Sequence, residues 1–270
     1  MRTALVTGAT SGLGRAVATA LSRQGLRVLV HGRDRGRAEA LVAELPGAEP
    51  LVADLASLAQ VRELALHVRA TQPALHVLVN NAGVGAGKPP HRERELSADG
   101  HELRVAVNYL APVLLTRLLL PLLAASSSAE APSRVVNVGS AGQAPIDPDD
   151  LDFTRGYDGM EAYMRSKFAL AAFTVDLAAA PEAAGVNVNC VHPATFMDTG
   201  MVVESGITPR SSIDDGVPPV LALAAGPAGA ATTGHYFDGT RQAAPHPAIR
   251  TATLRTHLST TTSHLLAPYL

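Results

Sequence analysis

The chain has 270 residues, a formal net charge of −2 and a sequence pI near 6.5, so it lacks the basic excess that nucleic acid or an anionic membrane would require. Its 47% apolar content suffices for the core of one large domain, and the charge balance points to a small molecule as partner. The single cysteine, Cys190, excludes an internal disulfide and reads as a buried strand residue in Val186-Asn187-Val188-Asn189-Cys190-Val191.

In chain order, the first strand is expected at Ala4–Val6. It starts too early to leave room for a basic and then apolar leader, so a cytoplasmic protein is expected. Further strands are expected at Arg27–His31, Glu49–Val52, Val77–Asn80, Arg134–Val138, Val186–Val191 and a short run near His235–Phe237. Helical spacing recurs between the early ones, over Gly14–Gln24, Arg35–Leu45 and Leu58–Thr71. Strands alternating with helices predict an α/β fold: a doubly wound parallel sheet with helices on both faces. The apolar stretch Leu110–Ala125 is interrupted by Pro112, Arg117 and Pro121 and falls short of the ~20 residues of a bilayer span, so it reads as a core helix. Ala124–Ser133 reads as a surface loop. Residues 193–233 are rich in Gly, Pro and Ala and read as a flexible segment covering a site. The tail His257–Leu270 receives no element. No repeat or linker divides the chain, so residues 1–270 are read as one domain.

Two motifs carry chemistry. Thr7-Gly8-Ala9-Thr10-Ser11-Gly12-Leu13-Gly14 follows the first strand, where glycines let backbone N–H groups at a helix start face a pyrophosphate. Tyr163-Met164-Arg165-Ser166-Lys167 sets a phenol and an ammonium four residues apart, on one face if the segment is helical. A cation there favours phenolate and would lower the tyrosine pKa. Ser140 follows the fifth strand, in Val138-Gly139-Ser140-Ala141. All these positions lie at strand C-terminal ends, where open α/β sheets bind ligands.

With Ser140, Tyr163 and Lys167 in that order after the glycine turn, the sequence resembles the short-chain dehydrogenase/reductase family over nearly its whole length. The resemblance implies a single-domain Rossmann fold and hydride transfer between a nicotinamide and a carbonyl or alcohol. It implies Tyr163 as general acid in reduction, Ser140 orienting the carbonyl, Lys167 lowering the tyrosine pKa and Asn108 holding a water. Gly139 departs from the family pattern, which has a first serine there. Gly8, Thr10, Ser11, Gly12, Leu13 and Gly14 form the implied cofactor turn, joined by Asp54, Leu55, Asn81, Ala82, Gly83, Tyr163, Lys167, Pro193, Phe196 and Thr199. Asp54 reads equally as a helix N-cap, and the paired asparagines as loop cross-links.

The cofactor expected is NADP(H): Gly32 stands where NAD-preferring members carry a carboxylate, and Arg33 follows it. Arg37 is a second candidate cation, Asp34 a candidate to blunt the preference, and Ser11 departs from the basic residue many NADP-preferring members have. His192 reads as a packing residue, and no metal is expected, since no second His or Cys stands at ligand spacing. The stretch Ile146-Asp147-Pro148-Asp149-Asp150-Leu151-Asp152-Phe153 looks like the insertion of the retinol-dehydrogenase and protochlorophyllide-reductase branch. A soluble ketone or aldehyde is the expected substrate class. The family habit also implies a homo-oligomer through Leu103–Leu123 and Glu161–Ala179, faces that equally suit an intramolecular core. The competing class is a catalytically idle NADP-sensing protein, against which the intact Asn-Ser-Tyr-Lys set argues.

Overall fold

The computed structural model describes residues 1–270. The first half alternates β1 (Thr3–Val6), α1 (Gly12–Arg23), β2 (Arg27–Gly32), α2 (Arg35–Glu44), β3 (Glu49–Val52), α3 (Leu58–Thr71) and β4 (Val77–Asn80). A long helical run follows: α4 (Leu103–Val105), a π-helical turn (Ala106–Leu110) and α5 (Ala111–Ala125). After β5 (Ser133–Val138) come α6 (Gly159–Ala179), β6 (Val186–His192), α7 (Gly200–Glu204), α8 (Ile213–Ala224), α9 (Pro227–Ala231), β7 (Tyr236–Asp238), β8 (Arg241–Ala243) and α10 (Ala252–Leu266).

The strands form one sheet in the order β3-β2-β1-β4-β5-β6-β7-β8. Every neighbouring pair through β7 is parallel. The order reverses between β1 and β4, which opens a crevice beyond their C-terminal ends. β8 is a correction to the all-parallel expectation: it pairs antiparallel with β7. Gly239, at positive φ, makes the short connection that parallel strands could not use.

Strand side chains alternate between two cores. Leu5, Leu29 and Leu78 join α3, α5 and α6 in a cluster of 44 buried residues, whereas Ala4, Val28 and Val77 join α1, α2 and α8 in one of 22. The thicker side therefore carries the helices that bear the later motifs. Leu103–Ala125 makes a 23-residue helical run of mean hydropathy 1.6, longer than the apolar stretch suggested, and 83% of its most apolar window is buried within the protein. Its length meets the spanning requirement, but its faces are covered by this chain. The π turn lies directly before Pro112, whose missing N–H interrupts the helical ladder.

Within 193–233 the structure has three helices where sequence periodicity was weak. α8 opens with a Ser212–Asp215 capping box and buries Val220, Leu223 and Ala224 against the smaller core. Gly216, Pro218 and Pro219 mask it in the sequence, since all three are poor helix formers. The tail is helical too. Leu258, Thr262 and Leu266 of α10 recur every four residues and are buried. The Arg255 guanidinium is 2.6 Å from Asp176 of α6, Arg117 of α5 donates to Ser263 at 3.2 Å, and Tyr109 bonds Thr262 at 2.8 Å. The faces of α5 and α6 implied for homo-oligomerisation are thus partly covered by α10.

Candidate active site

The glycine turn closes at the end of β1 and is braced from two neighbours. Gly8 and Gly12 have φ of 64° and 51°, and a Cβ on Gly14 would lie 2.2 Å from the Gly8 carbonyl oxygen. Asn81 Nδ2 donates to the Thr7 and Gly8 carbonyls at 2.9 and 3.3 Å, while Thr7 Oγ1 accepts from the Asn81 and Ala82 N–H groups at 3.0 Å each. Asn81 therefore cross-links the β1 and β4 loops, and Ala82 and Gly83 continue along the crevice. On the other side, His31 Nδ1 accepts from Gly8 N–H at 3.2 Å, which puts the ring proton on Nε2, 3.1 Å from the Ala53 carbonyl. Burial pulls the His31 pKa from 6.5 to about 4. Sequence reading missed this histidine, which looks like one more strand residue.

Gly32 lies against Thr10: a Cβ there would stand 2.5 Å from Thr10 Cγ2. Arg33 and Arg37 are exposed and take part in no ion pair, whereas Arg35 pairs with Glu39 at 3.5 Å. Asp34 accepts from Arg37 N–H at 2.9 Å as the N-cap of α2, so its carboxylate is engaged there and not with Arg33. Asp54 is exposed and accepts from Ala56 N–H at 3.0 Å, while Ser57 caps α3; the N-cap alternative for Asp54 does not hold. The Leu55 side chain is buried in the larger core. Ser11 and Leu13 open α1, Ser11 at the N-cap without a side-chain cap bond and Leu13 packed into the smaller core.

Across the crevice, Ser140, Tyr163, Lys167 and Asn108 converge. Ser140 Oγ accepts from Gly142 N–H at 3.1 Å, and its hydroxyl favours the Tyr163 phenolate. Lys167 is buried, donates to the Val138 carbonyl at 2.9 Å and lies 5.8 Å from the Tyr163 ring centroid. Burial lowers the Lys167 pKa to about 8. The Tyr163 pKa is raised by burial, against the smaller pull of the Ser140 hydroxyl. Asn108 sits at the centre of the π turn. Its Oδ1 accepts from Val84 N–H at 2.8 Å, and its Nδ2 donates to the Val84 carbonyl at 3.0 Å and to Ser166 Oγ at 3.1 Å. A Cβ on Gly83 would lie 3.0 Å from Asn108 Oδ1 and 3.6 Å from Lys167 Nζ, so the two meet beside Gly83.

Gly139, where a serine was expected, has a physical reason. A Cβ there would come 2.6 Å from Cys190 Sγ, so the cysteine occupies the space a side chain would need. At the end of β6, His192 Nε2 is hydrogen-bonded with Thr195 Oγ1 at 3.0 Å. Pro193 lies 3.5 Å from a Cβ position on Gly216, and Phe196, at φ 48°, stacks 5.5 Å under Arg210. Thr199 Cγ2 is 3.5 Å from a Cβ position on Gly12, and Met201 packs over Gly83 and Gly85. The segment beginning at Pro193 therefore spans the crevice from the glycine turn to Lys167.

A buried charged cluster borders the site. Arg104, 2% exposed, donates to Glu102 at 3.0 Å, Tyr157 at 2.8 Å, Glu95 at 2.8 Å and the Gly85 carbonyl at 2.9 Å. Glu102 also accepts from the Arg104 and Val105 N–H groups at 2.7 and 2.9 Å. It ties the loop after β4 to the insertion before α6.

The sequence pattern of the short chain dehydrogenase family matches residues 2–209. The chain belongs to the short-chain dehydrogenase family. It is an oxidoreductase of the retinol-dehydrogenase-like branch that uses a nicotinamide cofactor and acts on a small molecule. Human retinol dehydrogenase 13 is 35% identical, with 91% of this chain and 78% of the relative covered. Mouse polyprenol dehydrogenase is 41% identical over 78% of this chain and 64% of its own length, so the chain spans under two thirds of that relative. Among solved structures, the Pseudomonas aeruginosa RhlG/NADP active-site complex superposes with a TM-score of 0.71 at 30% identity, covering 88% of this chain and 95% of the other.

The crevice fits a dinucleotide. At the start of α1, Gly12 meets only the Thr199 side chain within 4 Å of its Cβ position, and the glycines at 8, 12 and 14 add no side chain of their own over the turn's backbone.

Proposed function

We propose that this oxidoreductase is NADP(H)-dependent and interconverts a small ketone or aldehyde with its alcohol, chiefly as a reductase. The observation that carries the reading is the convergence of Ser140 with half-buried Tyr163 and, one turn along α6, buried Lys167, whose Nζ lies 5.8 Å from the Tyr163 ring centroid. Bound cofactor supplies or accepts the hydride. Tyr163 Oη delivers the proton to the substrate oxygen, and Ser140 Oγ–H bonds that oxygen as charge develops on it. Lys167 holds positive charge beside the phenol. Asn108 Oδ1, which with Lys167 borders Gly83, keeps a lone pair after its Val84 bond for the water through which the proton would be replaced.

The choice of NADP(H) is supported by three features: Thr10 fills the space where a carboxylate at 32 would stand, Arg33 is unpaired, and Asp34 is committed to capping α2. A relative crystallised with NADP agrees with it. Relatives named for retinol and polyprenol support an alcohol–carbonyl couple. The reading includes a cytoplasmic setting, and burial of the one long apolar helix supports a core role for that helix over a bilayer span.

The test is titration with NADPH and NADH, then oxidation of the reduced cofactor against a panel of ketones and aldehydes. Carbonyl-dependent turnover is expected, lost in Tyr163→Phe with NADPH affinity kept. Arg33→Ala should weaken NADPH by about 10-fold or more and leave NADH unchanged, as expected for one charge-assisted bond of about 1.5–3 kcal/mol. Turnover that survives Tyr163→Phe overturns the catalytic assignment, and equal effects of Arg33→Ala on both cofactors overturn the NADP choice. Tight NADPH binding with no turnover on any carbonyl supports the sensor in its place.

A further inference from the structure

We propose that Tyr236 and Gln143 are positioning residues for Ser140, and that the segment from β7 to His246 forms the rear wall of the catalytic site. The inference rests on the reading of Ser140 and Tyr163 given above. Ser140 stands on a turn outside any helix or strand, so the aim of its hydroxyl follows the orientation of the backbone around it. Two side chains hold that backbone. Tyr236 Oη donates to the Ser140 carbonyl at 3.0 Å, and Gln143 Nε2 donates to the same oxygen at 2.9 Å.

Both donors are fixed from behind. Tyr236, 7% exposed, pairs opposite Cys190 in the β6–β7 register, and Cys190 Sγ fills the space at Gly139. Gln143 Oε1 accepts from His246 N–H at 3.0 Å, and the His246 ring meets Phe168 edge-on at 5.5 Å. Phe168 follows Lys167 on α6. A continuous set of contacts thus runs from the serine carbonyl to the helix bearing Tyr163 and Lys167. With one Oγ lone pair occupied by Gly142 N–H, the Ser140 hydroxyl, which favours the Tyr163 phenolate, is restricted in its orientation.

The titratable groups around the Tyr163 phenol are Lys167 of α6 and Tyr236 of β7, and Cys190 of β6 faces Lys167. If Ser140 is held by this grip, loosening it lets the hydroxyl that favours phenolate move away, and the Tyr163 titration moves to higher pH.

The experiment compares the full-length protein with Tyr236→Phe, Gln143→Leu and the double variant, and with Tyr269→Phe as a control that removes a distant phenol bond, to Asp99. The readouts are kcat and KM for a carbonyl, NADPH affinity, melting temperature and the Tyr163 phenolate absorbance, isolated by subtracting the same variant carrying Tyr163→Phe. Expected is a fall in kcat of about 3–10-fold per single variant, as for one neutral hydrogen bond, with an upward move of the Tyr163 titration. NADPH affinity stays unchanged, and Tyr269→Phe moves neither readout. The proposal is overturned if Tyr163 titrates as in the parent in both single variants, or if kcat falls only in step with NADPH affinity or melting temperature. Absence of carbonyl turnover in the parent counts against the reductase reading alone, because the phenol titration still tests the grip.

Discussion

Acidification from pH 7 to pH 5 should destabilise this protein through His31. The ring is 2% exposed, and both nitrogens are engaged in the neutral form, Nδ1 as acceptor from Gly8 and Nε2–H as donor to Ala53. A second proton would turn Nδ1 into a donor facing a donor. Burial lowers the folded pKa from 6.5 to about 4, against the smaller pull of the Ala53 carbonyl and Asp54. Between those values the unfolded chain binds more protons than the folded one. The stabilisation from a neutral His31 is therefore complete above about pH 6.5, erodes as pH falls, and is gone by about pH 4. The gap of about 2.5 pH units corresponds to about 3.5 kcal/mol in full, of which about 2 kcal/mol is lost by pH 5. Urea unfolding of the parent and His31→Asn at both pH values isolates this histidine from the others. The parent should lose about 2 kcal/mol more than the variant between pH 7 and pH 5. Equal losses in the two proteins would refute the argument.

Two further substitutions test packing beside the site. Gly139→Ser should destabilise by about 1–3 kcal/mol, because its Cβ meets Cys190 Sγ at 2.6 Å, and Cys190→Ala in the same chain should recover most of that loss in urea unfolding. Additive losses would show that the cysteine is not what excludes a side chain there. Glu102→Ala should cost about 3–5 kcal/mol by the same assay, since it strands the Arg104 charge in a site where the glutamate is fully buried; a loss below about 1 kcal/mol would place the support of Arg104 in Glu95 and Tyr157.

The elements that sequence made legible are those whose signal is local. Leu58–Thr71 was bounded to the residue because Ser57 caps it and its apolar residues recur at helical spacing. The glycine turn and the Tyr163–Lys167 pair were legible because they are short motifs. What escaped depends on partners distant in sequence. Gly139 looked like a lost serine until Cys190, 51 positions on, was found in its space. Tyr236 looked like a terminal strand residue until its phenol reached Ser140. α10, rich in helix-indifferent threonine, is made by contacts with Asp176 and Tyr109 that no local pattern announces.

From β4 onward the strands lie side by side in the order in which they are synthesised, β4-β5-β6-β7-β8, whereas β1 to β3 are complete before them on the other flank. Translation proceeds N-terminus first at about 5–20 residues per second, and the sheet can extend at one edge as each strand emerges. The turns at Gly8, Gly32 and Asn81, proposed to face the nucleotide, lie within the first third of the chain. The wall behind Ser140 and the helix laid across α6 lie in its last 35 residues, from Tyr236 to Leu270. On the ribosome, the seat for the cofactor can exist well before the apparatus for proton transfer. A chain cut before Tyr236 would then carry Ser140, Tyr163 and Lys167 without the wall proposed to hold the serine in place.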